Sequence, residues 1–184
     1  MTDILFLEKN DASIAKVDRL EPLMRPYRNA RDTWDYRSAS ALIYEAFTRY
    51  GIPLSAYREL PSGRPYIAGS QADFSVSHSG RYTVVAITTD PDVSIGIDIE
   101  ETARASRRDI VGLSRRFFSE EEARSVAGAP DPVDTFLRLW TMKEALMKSR
   151  RVPLSQVLKT ESRNATYIVN KNFIICIEIY SPHR

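Results

Sequence analysis

The sequence predicts an α+β protein of two similar halves, and three observations predict it. Short runs rich in Val and Ile alternate with polar residues at period two, the pattern of half-buried strands. Residues 11–24 and 33–50 carry apolar side chains at helical spacing, and a further helical block fills most of 106–148. The elements run strand, helix, helix, strands and then strand, helices, strands, with Asp90-Pro91-Asp92 as the turn between the two series. That order places an N-terminal half at 1–91 and a C-terminal half at 92–184, a symmetry of element order with no literal sequence repeat.

Residues 3–8 read as the first strand. The helix over 11–24 has Ile14, Val17 and Leu20 on one side, with Pro22 and Pro26 ending or bending it. Over 33–50 the stripe is Ala39, Leu42, Ile43, Ala46 and Phe47, with Gly51 as the cap and Pro53 beyond it. Two short extended pieces flank Pro61-Ser62-Gly63-Arg64-Pro65. Strands follow at Phe74-Ser75-Val76-Ser77 and over 82–89, joined by a turn at His78-Ser79-Gly80. In the second half 94–101 alternates as a strand, 106–117 reads as one basic helix, and Ser119 with Glu122 forms a capping box. Asp131 and Pro132 open a long helix to about Lys148, and 165–170 with 173–180 make a closing hairpin.

Composition bounds the function. At 184 residues, 43% hydrophobic and 27% charged, the chain can bury a core as one domain or two small halves. No run approaches the length of a membrane span, and the start Met1-Thr2-Asp3 lacks the basic residues and apolar core of a secretion signal. The one cysteine, Cys176, has no internal partner, which fits a reducing cytoplasm. The sequon at Asn164 is taken as chance on the same grounds. Net charge is +2, with no basic stripe of the kind that tracks nucleic acid, yet twenty of the 26 basic residues are Arg, the side chain suited to bidentate phosphate contacts.

Three stretches carry chemistry. On a strand at 94–101, Asp98 and Glu100 share a face with Gly96. Two adjacent carboxylates repel unless a cation stands between them, and oxygen-only ligands suit a hard ion such as Mg²⁺. Taken alone, the pair is also what a solvated strand face looks like. The long helix is apolar nearly all round, but Lys143, Glu144 and Lys148 fall within about 140° of one another. They read either as a surface ion pair at i,i+4 or as a third carboxylate beside a lysine aimed at a phosphate. His78, between Ser77 and Ser79 and before Gly80, offers donors for an anion or is an incidental turn residue.

In order and spacing these stretches resemble the Sfp-type 4′-phosphopantetheinyl transferases. Gly63-Arg64-Pro65-Tyr66 is similar to that family's G-K/R-P segment. Phe74-Ser75-Val76-Ser77-His78-Ser79-Gly80 is similar to its F-N/S-x-S-H-S-G segment. Gly96-Ile97-Asp98-Ile99-Glu100 resembles G-I-D-I/V-E, Phe117-Phe118-Ser119-x-x-Glu122 resembles F-F-S-x-x-E, and Trp140-x-x-Lys143-Glu144-Ala145-x-x-Lys148 resembles W-x-x-K-E-A/S-x-x-K. The resemblance covers residues 33–158.

It implies two α+β halves with coenzyme A in the cleft between them. It also implies transfer of the phosphopantetheine arm to a serine of an apo acyl or peptidyl carrier protein, with release of 3′,5′-ADP. By resemblance, Asp98, Glu100 and Glu144 would hold Mg²⁺, and His78 would meet the pyrophosphate. Arg37 and Arg64 would meet the 3′-phosphate, and Ser77 would join the nucleotide contacts. Lys148 would serve the leaving phosphate and Glu144 the carrier serine. Glu122 is a further site carboxylate or only a cap; the extra basic residues that longer members place ahead of the Arg37 helix have no clear match here, and Arg28 and Arg31 are the candidates to substitute for them. Two fused halves imply a monomer. The cluster Arg104, Arg107, Arg108, Arg115 and Arg116, with Val111 and Leu113 nearby, is expected to dock an acidic carrier. Carriers of fatty-acid synthesis, of a polyketide or peptide assembly line and of a lipid-like pigment pathway are all open. A non-catalytic binding module would be expected to have lost a carboxylate or Lys148. A metal-dependent nuclease or phosphatase would leave His78 and Arg64 unexplained.

Overall fold

Two three-stranded sheets, joined through their side chains, carry the site. The computed structural model describes residues 1–28, 31–61, 63–160 and 165–181, so His183 and the sequon residue Asn164 fall outside the described residues. Strands β1 (Thr2–Glu8), β4 (Asp73–Ser79) and β5 (Tyr82–Thr88) form an antiparallel sheet in the order β1-β5-β4. The pair β2 (Tyr57–Glu59) and β3 (Pro65–Ile67) makes a small hairpin beside it. The second sheet has the order β6-β8-β7, from β6 (Ser94–Glu101), β7 (Thr166–Val169) and β8 (Phe173–Tyr180). The fold is therefore mixed α and β.

Helices α1 (Asp11–Met24) and α2 (Trp34–Arg49) cover the first sheet. The Asn10 side chain accepts from Ser13 N–H to start α1, and Thr33 does the same for α2 through Tyr36 N–H. Pro22 lies inside the last turn of α1 and does not end it; Pro26 falls in the 3₁₀ turn that follows. The apolar stripe read from α2 is buried as Ala39, Leu42, Ile43, Ala46 and Phe47, against Leu5, Leu7, Phe74, Val85 and Ile87.

The helix expected over 106–117 starts later, as α4 (Ile110–Phe117), because Asp109 turns its carboxylate onto Gly112 N–H and caps it there; a separate single turn, α3 (Thr102–Ala105), lies just before the expected start. Ser119 and Glu122 make the expected capping box at α5 (Glu120–Gly128). The long helix α6 (Pro132–Arg150) starts on Asp131, whose carboxylate accepts from Val133 and Asp134 N–H, and ends at Arg151 in the left-handed region (φ 58). A short turn of helix, α7 (Leu154–Val157), follows. No helix among the described residues is long and apolar enough to cross a membrane.

Two contacts fix the elements that matter for the site. The first is between β6 and α6. Gly96 has no room for a side chain, since a Cβ there would overlap the backbone at Ala145 O and Ser149 N. Strand and helix thus cross in backbone contact. The second is a seam between β4 and β6, which run parallel. Asp73 Oδ2 accepts from Ile95 N–H at 3.0 Å, Ser75 Oγ from Ile97 N–H at 3.1 Å, and Ser79 Oγ from Glu101 N–H at 3.1 Å. Side chains of alternate β4 residues take the place of a backbone ladder and satisfy buried N–H groups of β6. Beneath the seam Val84 and Ala86 of the first sheet pack on Ile95, Ile97, Ile99, Ile175 and Ile177 of the second.

Candidate active site

The three isoleucines of β6 point into the core between the sheets, so period two turns Asp98 and Glu100 to the other face, toward α6. Because α6 crosses at Gly96, its side chains one turn apart reach the same place. Lys148 Nζ donates to Asp98 Oδ1 at 2.8 Å and to Ile97 O at 3.0 Å. The helical spacing offered a Glu144–Lys148 pair; the lysine bonds the strand instead. Ser77 Oγ also donates to Asp98 Oδ1, at 2.6 Å, while Asp98 Oδ2 is buried with no hydrogen-bond partner. Ser79 Oγ donates to Glu100 Oε2 at 2.8 Å.

Asp98, Glu100, Glu144 and Lys148 line one open cavity of about 700 Å³ together with Ser77, His78 and Trp140. Burial pushes the Glu144 carboxyl up to about 7, Asp98 and Glu100 add to the rise, and Lys148 opposes it. Burial likewise raises Glu100, against the Ser79 hydroxyl that favours its charged form, and Asp98 adds to the rise. Three carboxylates thus share a wall with one ammonium.

The set suits a hard cation in part. Its donors are all carboxylate oxygens, and the partnerless Oδ2 of Asp98 is an acceptor left open. Yet among the described residues no three His, Cys, Asp or Glu side chains stand close enough to form a ready cage. The expected convergence of Asp98, Glu100 and Glu144 around one ion is therefore not preformed. Lys148 holds Asp98 instead. Two carboxylates completed by substrate phosphates remain compatible with this geometry, which is the usual Mg²⁺ arrangement.

The other wall comes from the first half. His78 is half-exposed, with Nδ1 3.4 Å from Asp35 Oδ2 on α2. Arg28 and Arg31 both line the cavity. Arg28 lies over the rings of Tyr36 and Tyr57 and donates to Ser40 Oγ at 2.6 Å and Tyr57 Oη at 3.0 Å. Arg64 lines a second, more apolar cavity of about 570 Å³ that adjoins the first at Gly63, Val76 and Lys148. Burial lowers the Arg64 guanidinium, and Asp73, 3.6 Å away, holds it charged.

Arg37 is not brought to either cavity. It pairs with Asp18 of α1, because its place on α2 faces that helix. Glu122 is also apart: it accepts from Ser119 N–H at 3.0 Å and from Lys143 Nζ at 2.5 Å. Lys143, expected on the wet side of α6, is fully buried, because Glu122 and Thr160 O satisfy it inside. The basic cluster divides. Arg104 and Arg108 line a small cavity beside Glu100, with Leu113, Phe117 and Trp140, whereas Arg115 and Arg116 line a separate groove with Arg124 and Lys159. Asp35, Tyr36 and Glu59 line the main cavity and were not anticipated. Asp35 could have been found from its place at the first turn of the helix before Arg37; Glu59 carried no sequence signal.

Comparison with known proteins finds relatives of the stretch that carries β6 and α6. Residues 94–175 match the 4′-phosphopantetheinyl transferase superfamily. A 4′-phosphopantetheinyl transferase of Bacillus subtilis is 39% identical over 103 residues, which is 54% of this chain and 43% of that protein. The 4′-phosphopantetheinyl transferase Sfp of Bacillus subtilis (strain 168) is 36% identical over the same length and the same shares. The 4′-phosphopantetheinyl transferase gsp of Aneurinibacillus migulanus is 30% identical over 132 residues, 68% of this chain and 52% of that protein. The chain spans about half the length of these relatives or less. The stretch that contains both β6 and α6 is thus similar to the 4′-phosphopantetheinyl transferase superfamily.

Proposed function

We propose that the protein transfers the 4′-phosphopantetheine arm of coenzyme A to a serine of an apo acyl or peptidyl carrier protein, with Mg²⁺, and releases 3′,5′-ADP. One observation carries the reading: three carboxylates and a lysine from β6 and α6 face His78, Arg28 and Arg31 across a cavity of about 700 Å³, the size of a cofactor site. The sheets β1-β5-β4 and β6-β8-β7 are read as the two related halves, 1–91 and 92–184, with the cavity between them.

In this reading Arg64 holds the 3′-phosphate of the nucleotide, and Arg28 and Arg31 add positive charge along the adjoining cavity. Arg37 would take part only on leaving Asp18. His78 and Ser77 lie along the pyrophosphate. Asp98 and Glu100 would hold Mg²⁺, with Glu144 as third carboxylate, and the ion would supply charge to neutralise the pyrophosphate. Glu144, in its ionised form, takes the proton of the carrier serine. The serine oxygen bonds to the phosphorus that carries the pantetheine arm, and the bond from that phosphorus to the ADP oxygen breaks. Lys148 stabilises the charge that develops on the departing phosphate. Arg104 and Arg108, beside Glu100 on an apolar floor, receive the acidic carrier.

The test is incubation of the purified chain with coenzyme A, Mg²⁺ and a panel of apo carrier proteins, read by mass spectrometry. Gain of one phosphopantetheine on the carrier serine is expected. Bound coenzyme A with no carrier modified would favour a non-catalytic binding module.

A further inference from the structure

The seam between β4 and β6 does more than close the fold. A serine hydroxyl has one proton to give. At Ser79 the hydroxyl oxygen already accepts from Glu101 N–H at 3.1 Å, and its proton goes to Glu100 Oε2 at 2.8 Å. Ser79 is 3% exposed, so its hydroxyl is shielded from solvent. The backbone thus holds the hydroxyl, and the hydroxyl holds one carboxylate oxygen. Glu100 keeps its other oxygen for the cavity it lines. Ser75 makes the same bond to the backbone, accepting from Ile97 N–H at 3.1 Å, and is equally buried, but it touches no carboxylate.

We propose that Ser79 is a positioning residue: it fixes the rotamer of Glu100 across the seam, so that the first half of the chain orients a cation ligand of the second. The proposal rests on the reading of Asp98 and Glu100 as the pair that holds the ion. Outer partners of this kind are worth about ten-fold or more in metal affinity.

Mn²⁺, followed by its electron paramagnetic resonance signal on titration into the protein, reports binding without turnover. Ser79→Ala should weaken Mn²⁺ binding about ten-fold or more, and should raise the metal concentration needed for half-maximal activity while the KM for coenzyme A stays put. Ser75→Ala removes the same kind of seam bond and should leave Mn²⁺ affinity unchanged, even if both variants melt at lower temperature. If Ser79→Ala does not fold, Ser79→Cys keeps the volume with a weak donor and should show the loss in smaller measure. Equal Mn²⁺ affinity in wild type and the Ser79 variants, or equal losses in the Ser75 and Ser79 variants, overturns the proposal while leaving the metal reading intact. No Mn²⁺ binding by the wild type overturns both.

Discussion

Lys148 Nζ and Asp98 Oδ1, 2.8 Å apart, tie the last turns of α6 to the centre of β6. Asp98 is nearly buried at 7% of its side chain, and Lys148 retains 20% exposure. Loss of the lysine leaves a carboxylate in a dry place with only Ser77 to answer it. Lys148→Met should therefore cost about 2 kcal/mol, below the figure for a fully buried pair because the lysine keeps some solvent. Asp98→Asn combined with Lys148→Met should recover most of that stability, since neither charge is then left alone. Both proteins should be inactive. Denaturant unfolding of the two variants decides it, and a Lys148→Met protein as stable as wild type would contradict the pairing.

Glu144 gives a pH dependence whose sign is fixed. The unfolded chain titrates this carboxyl at its ordinary 4.5, the folded protein at about 7. Between those values the folded state holds a proton that the unfolded state has lost. Stability of the metal-free protein should then fall as pH rises from about 4.5 through about 7. Glu144→Gln should flatten that part of the profile. Thermal melts at half-unit pH steps show it.

Gly96 is fixed by backbone contact. A methyl group there meets Ala145 O and Ser149 N, neither of which can rotate away. Gly96→Ala should cost about 1–3 kcal/mol as an overpacked site. It should also move Glu144 and Lys148 off β6, so activity should drop further than stability alone explains. Activity measured well below the melting temperature separates the two effects.

The Glu122–Lys143 pair is structural. Lys143→Ala leaves Glu122 without its cation and should destabilise by about 3–5 kcal/mol. Glu122→Gln with Lys143→Met should be close to wild type in stability and should still modify carrier, because neither side chain lines the cavity. Loss of catalysis in a well-folded double variant would return Glu122 to the site.

Strand and helix placement was legible where local rules are strong. The alternation of Ile95, Ile97 and Ile99 set the face of Asp98 and Glu100, and Asp131-Pro132 set the start of α6. What sequence could not supply is which polar partner a side chain finds at long range. Lys143 and Lys148 look alike on a helical wheel, yet one is buried on Glu122 and the other sits at the cavity on Asp98. Arg37 looked free to meet a phosphate, and Asp18 of α1 holds it. The later start of the helix expected over 106–117 followed from Asp109, a capping residue inside an apparently continuous helical stretch. Ser75 read as a small strand residue and Ser79 as part of a turn, yet β4 runs through Ser79, and the parallel approach of β4 to β6 makes both of them hydrogen-bonding partners of a neighbouring strand.

That seam bears on how such a chain can be recombined. Its bonds run from side chains on one side to backbone on the other, so β6 is read by Asp73, Ser75 and Ser79 and not by a generic strand edge. A chimera that exchanged residues 1–91 for a relative's would graft a new set of side chains onto an old strand, and would lose register unless those positions still offered acceptors. The natural unit of exchange is β4 together with β6, two segments that straddle the turn at Asp90-Pro91-Asp92.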